Sequence, residues 1–208
     1  MKEFIISAVI GYLLGNIQAA YILGKLIKKV DIRTMGQGNA GASNAVESLG
    51  WKFGALVAFI DVLKGAVSIF LVKLLFDVEL NSEGAFLLYL AGYTAILGHI
   101  YPFYMNFKGG KGTATLIGIL LGLNPIYGLI GILLIASTTL LTDYIVLGTA
   151  ALTTYVIVLT YLKDFGPGPL VLSILGAFLS MSLHLKNYRR IKLGTETRLS
   201  QVLRRNKK

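Results

Sequence analysis

Three polar segments of this 208-residue chain carry side chains able to act on an anion. The first is Met35-Gly36-Gln37-Gly38-Asn39-Ala40-Gly41-Ala42-Ser43-Asn44. Glycine-rich backbone can turn its N–H groups toward a phosphate, and Asn39, Ser43 and Asn44 add side-chain donors beside it. The second joins Gly98-His99-Ile100-Tyr101-Pro102 to Phe107-Lys108-Gly109-Gly110-Lys111-Gly112-Thr113, at the start of an apolar run. Lysines among glycines at a helix start combine compact positive charge with free N–H groups and the helix dipole. The third runs from His184 to Glu196. Its His184, Asn187 and Arg190 are spaced by three and share one helix face. Together these residue types suit the binding of phosphate groups, with a histidine to take a proton from a hydroxyl.

Other chemistries fit less well. Gly36, Gly38 and Gly41 form a G-x-G-x-x-G pattern with Asp61 twenty residues on, but no strand precedes it and Asp61 sits inside an apolar run. The second segment is not a Walker A loop, because Met105 stands at the first glycine position and Gly112 follows Lys111. With no cysteine and only two histidines, neither a disulfide framework nor a common zinc site is expected, and no cofactor is implied. Asp61 and Lys64 are an i, i+3 pair of opposite charges inside an apolar run, where ionisable groups are costly. They read as a structural ion pair.

The elements that must position these segments are membrane spans. Hydrophobic residues make up 55% of the chain and charged residues 14%, with a mean hydropathy of +0.70. A soluble domain carries about 25% charged residues, so this chain cannot cover a water-facing surface. Apolar runs cover 4–26, 53–76, 84–104, 113–123, 125–141, 144–162 and 167–183. A spanning helix needs about 20 residues. The fourth run, at 113–123, is short unless neighbours shield its ends. The expectation is a single all-α domain over 1–208, a polytopic integral membrane protein of about seven transmembrane helices. Merging the fourth and fifth runs would give six. No cleavable signal peptide is expected, since the first residues lack a basic n-region.

Charge sets the expected orientation. Lys25, Lys28, Lys29, Arg33 and Lys52 follow the first run, and Lys108 and Lys111 follow the third. Lys186, Arg189, Arg190, Lys192, Arg198, Arg204, Arg205, Lys207 and Lys208 follow the last. These gaps hold 16 of the 20 Lys and Arg. They are assigned to the cytoplasm, which puts the N-terminus outside and the C-terminus inside. The net charge of +10 then suits anionic lipid headgroups, and no nucleic-acid partner is expected.

Taken together, Gly38-Asn39-Ala40-Gly41-Ala42-Ser43-Asn44, Asp61-Val62-Leu63-Lys64-Gly65, Gly98-His99 with Pro102, Lys108-Gly109-Gly110-Lys111-Gly112, and His184, Asn187, Arg190 with Gly194-Thr195-Glu196 resemble the acyl-phosphate-dependent glycerol-3-phosphate acyltransferases of bacterial membranes. The resemblance covers nearly the whole chain. It implies a helical bundle in the bacterial cytoplasmic membrane with its active site facing the cytoplasm. It implies transfer of a fatty acyl group from acyl phosphate to the 1-hydroxyl of glycerol 3-phosphate, giving lysophosphatidic acid and phosphate in phospholipid biosynthesis. Neither acyl-CoA nor acyl carrier protein serves as donor in the family. Its partners would be the two substrates and membrane lipids; the oligomeric state is left open, a monomer included.

The chain departs from the family pattern at several positions. Asn16-Ile17-Gln18 stands for the usual Ser-x-Pro, and Ser43 for threonine. Glu47 stands where arginine is usual, and Asp143-Tyr144-Ile145-Val146 replaces Arg-Tyr-x-Ser. Two carboxylates near bound phosphates are expected to raise the Michaelis constant for glycerol 3-phosphate by like-charge repulsion.

The expected catalytic residues are His184, Asn187 and Lys111. The expected substrate-binding residues are Gly38, Asn39, Gly41, Ser43, Asn44, His99, Lys108, Gly109, Gly110, Gly112, Arg190 and Glu196. No metal site is expected. Lys108, Lys111 and Arg190 supply charge, and the glycine loops supply N–H donors. His184 or His99 is the base, with a substrate phosphate oxygen as the alternative proton acceptor. No Ser-His-Asp set is legible, so direct attack is expected without an acyl-enzyme. Two rival functions remain: a small organic-anion transporter, and a catalytically silent lipid-binding paralogue.

Overall fold

The computed structural model describes residues 1–205, so Lys207 and Lys208 of the basic tail lie outside the described residues. Among the described residues the chain is all-helical. The helices are α1 (Lys2–Gly15), α2 (Ala19–Leu23), α3 (Ala42–Leu49), α4 (Trp51–Phe76), α5 (Ala85–Ile100), α6 (Thr113–Leu123), α7 (Pro125–Thr142), α8 (Ile145–Leu162), α9 (Pro167–Lys192) and α10 (Leu199–Arg205). Six segments of the described residues are long and apolar enough to cross a membrane. They are Lys2–Lys28, Trp51–Phe76, Ala85–Met105, Pro125–Thr142, Ile145–Leu162 and Pro167–Lys192.

Burial is arranged for lipid rather than water. The outer faces of α4, α7 and α9 expose Leu74, Leu133 and Phe178, the last 73% exposed. The buried face of α4 carries Asp61, Lys64, Gly65 and Ser68. In hydrocarbon, large apolar residues lose nothing by facing outward, while polar groups must be satisfied inside the bundle.

The helix α6 resolves the question raised by the fourth run. Eleven residues rise about 16 Å, half of a hydrocarbon core of about 30 Å. It is buried between α4 and α7, and a methyl at Gly118 would collide with the Val62 carbonyl oxygen of α4. At its C-terminus, Lys73 Nζ from α4 donates to the carbonyls of Gly122 and Leu123, each at 2.9 Å. That satisfies two of the carbonyls that every helix end leaves open. Asn124 then caps α7 by accepting from Ile126 N–H at 2.9 Å, with Pro125 in its first turn. The short run is therefore a separate, shielded helix and is not continuous with the fifth.

Two elements go beyond the sequence reading, and one expected helix is present. The first glycine segment feeds directly into a helix, α3, with Gly41 as its N-cap. The helix face expected over His184, Asn187 and Arg190 forms beyond the apolar run that ends at 183. α9 continues to Lys192 with His184 and Asn187 on its buried side, because Lys186, Arg189 and Lys192 are good helix formers that stay exposed. Leu199–Arg205 of the basic tail form α10.

At the first helix break, Asn16 and Gln18 tie α1 to the end of α5. Gln18 Nε2 donates to the His99 carbonyl at 2.8 Å, and Asn16 Oδ1 accepts from Phe103 N–H at 3.0 Å.

Candidate active site

The two glycine segments form one composite surface. Ala40 N–H donates to the Gly109 carbonyl at 3.2 Å. Arg33 donates to the Met105 carbonyl at 3.0 Å while its guanidinium also pairs with Asp31 at 2.8 Å. Asn44, buried beneath the first segment, accepts from Gln37 N–H at 2.7 Å, and its amide nitrogen reaches the carbonyls of Ile32, Met35 and Asn39. Its side chain is therefore spent on holding the loop. Gly38 lies exposed with φ of +73°, a left-handed turn position that glycine adopts without strain.

His99 is held by a buried ion pair. Lys64 Nζ lies 2.8 Å from Asp61 Oδ1, 2.7 Å from the Ile17 carbonyl and 2.7 Å from His99 Nδ1. An ammonium only donates, so His99 Nδ1 is the acceptor and Nε2 carries the proton. That Nε2 faces Gly110, where any side chain would collide with the imidazole. Asp61 and Lys64 do form the expected ion pair, and it fixes the imidazole as well as the helix.

The α9 face supplies the third part. Lys111 Nζ donates to Asn187 Oδ1. Asn187 Nδ2 donates to Glu196 Oε1 at 2.7 Å, and Glu196 Oε2 takes Arg190 Nε at 2.6 Å. Gln37 Oε1 accepts from Arg190 at 3.0 Å and from Asn187 at 3.3 Å, which links α9 to the first loop. Burial lowers the Lys111 ammonium to about 8; the nearby Arg190 charge adds to this and Glu196 opposes it. His184 Nδ1 lies 2.8 Å from the Ser180 carbonyl, which can only accept. Nδ1 therefore carries the proton and Nε2 keeps a lone pair.

These parts border one cavity of about 580 Å³. Of the expected residues, Asn39, Gly41, Ser43, His99, Lys111, Gly112, His184, Asn187 and Glu196 line it. Gly38, Asn44, Lys108, Gly109, Gly110 and Arg190 do not. Lys108 is exposed, and Arg190 is turned to Glu196 and Gln37. Sequence reasoning missed Gln37, Thr113, Thr149, Thr197 and Arg198 as lining residues. Gln37 lay inside the first motif and could have been included. Thr149 had no local signal, since it is one hydroxyl in an apolar helix. Glu47, Asp61 and Thr139 also border the cavity, and the rest of the wall is apolar, with Ile117 of α6, Ile135 and Leu140 of α7, and Val146 of α8.

Glu47 and Asp143 are not free charges. Glu47 accepts from Gln37 Nε2 and from Thr197 Oγ1, both at 3.2 Å. Asp143 accepts from Ser200 N–H at 2.8 Å and Ser200 Oγ at 2.6 Å, and these bonds hold its carboxyl below the usual range. Among the described residues, no group of three or more His, Cys, Asp or Glu could hold a metal ion.

Comparison with known proteins gives the family of the chain. The family model described as "Glycerol-3-phosphate acyltransferase" matches residues 5–194. A relative named "Glycerol-3-phosphate acyltransferase 1", from Oceanobacillus iheyensis, is 38% identical over 201 residues, covering 96% of each chain. Another, "Glycerol-3-phosphate acyltransferase" of Thermoanaerobacter pseudethanolicus, is 36% identical and covers 95% of this chain and 96% of its own. The fold matches the crystal structure of PlsY, an integral membrane glycerol 3-phosphate acyltransferase in its glycerol 3-phosphate form. The TM-score is 0.84 and the identity 31%, over 94% of this chain and 95% of that one. The lysophosphatidic acid form of PlsY matches with a TM-score of 0.81. With this match over most of its length, the multi-pass helical chain belongs to the glycerol-3-phosphate acyltransferase family.

Proposed function

We propose that this chain transfers a fatty acyl group from acyl phosphate to the 1-hydroxyl of glycerol 3-phosphate, releasing lysophosphatidic acid and inorganic phosphate. One observation carries the reading. A single cavity joins a cationic, hydrogen-bonding end at Lys111, Asn187 and His184 to an apolar wall at Ile117, Ile135, Leu140 and Val146. That suits a substrate with a phosphate at one end and an acyl chain at the other. Names of the relatives and of the two PlsY forms support glycerol 3-phosphate as acceptor and lysophosphatidic acid as product.

In the proposed mechanism, Lys111 binds a phosphate, oriented by Asn187. His184 Nε2, the free lone pair at the cavity, takes the proton of the 1-hydroxyl as its oxygen attacks the acyl carbon. The bond from that carbon to the phosphate oxygen breaks and phosphate leaves with the electron pair. The uncapped first-turn N–H groups of α3 and α6, which follow Gly41 and Gly112, stabilise the developing charge in this mechanism. His99 serves as a positioning residue, since its Nδ1 is occupied by Lys64. The site faces the cytoplasm, on the strength of the Lys and Arg bias, and α6 counts as a seventh membrane helix.

The test is turnover by purified protein given palmitoyl phosphate and glycerol 3-phosphate, with palmitoyl-CoA as control donor. Lysophosphatidic acid and phosphate should form only with the acyl phosphate. Absent turnover, or equal turnover from palmitoyl-CoA, would reject the reading.

A further inference from the structure

The family match ends at Gly194, yet the chain beyond it returns to the cavity. Thr197, Arg198, Leu199 and Val202 line it. Two carboxylates from distant segments hold this strap. Thr197 Oγ1 donates to Glu47 Oε1 of α3 at 3.2 Å. Three bonds run to Asp143, in the turn between α7 and α8. They are Leu199 N–H to its carbonyl at 3.0 Å, Ser200 N–H to Oδ1 at 2.8 Å, and Ser200 Oγ to Oδ2 at 2.6 Å. Asp143 sits at φ of +68°, a conformation an Asp tolerates but rarely adopts without cause.

Arg198 lies between these two tethers. Its Nε donates to Tyr144 Oη at 3.2 Å, and its guanidinium sits 5.9 Å from the centre of the Tyr144 ring. Anchored there, its two terminal nitrogens make no hydrogen bond among the described residues. A planar fork with free N–H groups matches a phosphate in bidentate fashion. Lys111 and Arg198 are the only Lys or Arg of the described residues that line the cavity. Lys111 is already engaged by Asn187, and Arg190 is taken by Glu196 and Gln37.

Two phosphate-bearing substrates meeting in one cavity require more cationic charge than one lysine supplies. We infer that Arg198 is the second phosphate-binding cation of this site, delivered by a C-terminal strap that Glu47 and Asp143 pin in place. The inference rests on the acyltransferase reading for the identity of its ligands, not for the presence of a phosphate site. Asp143 is on this view a positioning residue, acting through Ser200 and Leu199.

The experiment uses the full chain in detergent or lipid, with Arg198→Ala, Arg198→Lys, Asp143→Ala and the Arg198→Ala/Asp143→Ala double variant. A lost charge-assisted contact should raise the KM for one of the two substrates at least tenfold, with kcat changed less than about threefold. Arg198→Lys should recover part of the loss. Asp143→Ala should repeat the KM effect, and the double variant should be no worse than Arg198→Ala, because both remove one interaction. Unchanged KM for both substrates in Arg198→Ala, or additive losses in the double variant, would overturn the inference. A second readout does not depend on turnover. Inorganic phosphate should raise the melting temperature of wild type more than that of Arg198→Ala, and equal shifts would also overturn it. Failure of wild type to turn over the substrate pair would reject the acyltransferase reading instead, leaving the phosphate shift to decide the strap.

Discussion

The Lys111 ammonium, in the loop before α6, donates to the side-chain oxygen of Asn187, 76 residues away in sequence and on α9. The pair aligns a cation with the cavity because the Asn187 amide nitrogen is fixed in turn by Glu196 at 2.7 Å. Removing Lys111 leaves Asn187 in place but takes the charge away. Lys111→Ala should therefore lower kcat/KM by roughly tenfold to a hundredfold, the worth of a charge-assisted contact. The pH dependence follows from burial, which brings Lys111 down to about 8. Its charged form is complete below that value and lost above it, so KM for the phosphate it binds should climb as pH passes about 8. Lys111→Arg should remove that limb, and a KM flat to pH 10 in wild type would refute the assignment.

A proton acceptor has a separate signature. His184 offers Nε2 only because Nδ1 is held by the Ser180 carbonyl at 2.8 Å. His184→Gln should reduce kcat by about a hundredfold to ten-thousandfold while KM moves little. His99→Gln should act differently, through the geometry of Gly110 and Lys64. Near-normal kcat in His184→Gln would hand the proton to a substrate phosphate oxygen.

Breaking the buried ion pair tests stability. Asp61 and Lys64 are 1% and 3% exposed. Asp61→Ala strands a buried ammonium and should cost about 3–5 kcal/mol, read as a drop in melting temperature in detergent. Replacing both residues by apolar ones of similar volume should cost much less. An equal cost for both variants would mean that packing, not charge, matters at this point.

The sequence alone suggested that Glu47 repels bound phosphate, so that Glu47→Arg would lower KM for glycerol 3-phosphate. The structure gives Glu47 two hydrogen-bond donors, Gln37 and Thr197. Replacing it frees the strap and one side of the first loop. Glu47→Arg is therefore expected to raise KM by several-fold, and a lower KM in that variant would restore the repulsion view.

Orientation is directly accessible, since the chain has no cysteine of its own. Lys108, Lys192 and Glu79 are all exposed. Single cysteines at Lys108 and Lys192 should react with an impermeant reagent only from the cytoplasmic side, and one at Glu79 only from outside. Labelling of 108 and 192 from opposite sides would contradict a site facing one compartment.

Composition and run lengths determined that this chain is a helical membrane protein, because 55% apolar residues with 14% charge can be solvated only by lipid. Local spacing also made His184, Asn187 and the lysine–glycine segment legible, since helix periodicity and turn chemistry are short-range properties. What those residues face was not local. Asn44 looked like a ligand donor beside its glycines, yet its amide is used up on the carbonyls of Ile32, Met35 and Asn39, bonds that exist only once the loop is folded. Arg190 shares a helix face with His184 but is turned aside by Glu196. Arg198 read as one more solvated charge in a basic tail, and only the fold brings Asp143 and Glu47, from 55 and more residues upstream, to hold its segment at the cavity. Spacing reports which residues share a helix; which partner satisfies each buried polar group is decided by packing between helices, where no sequence period reaches.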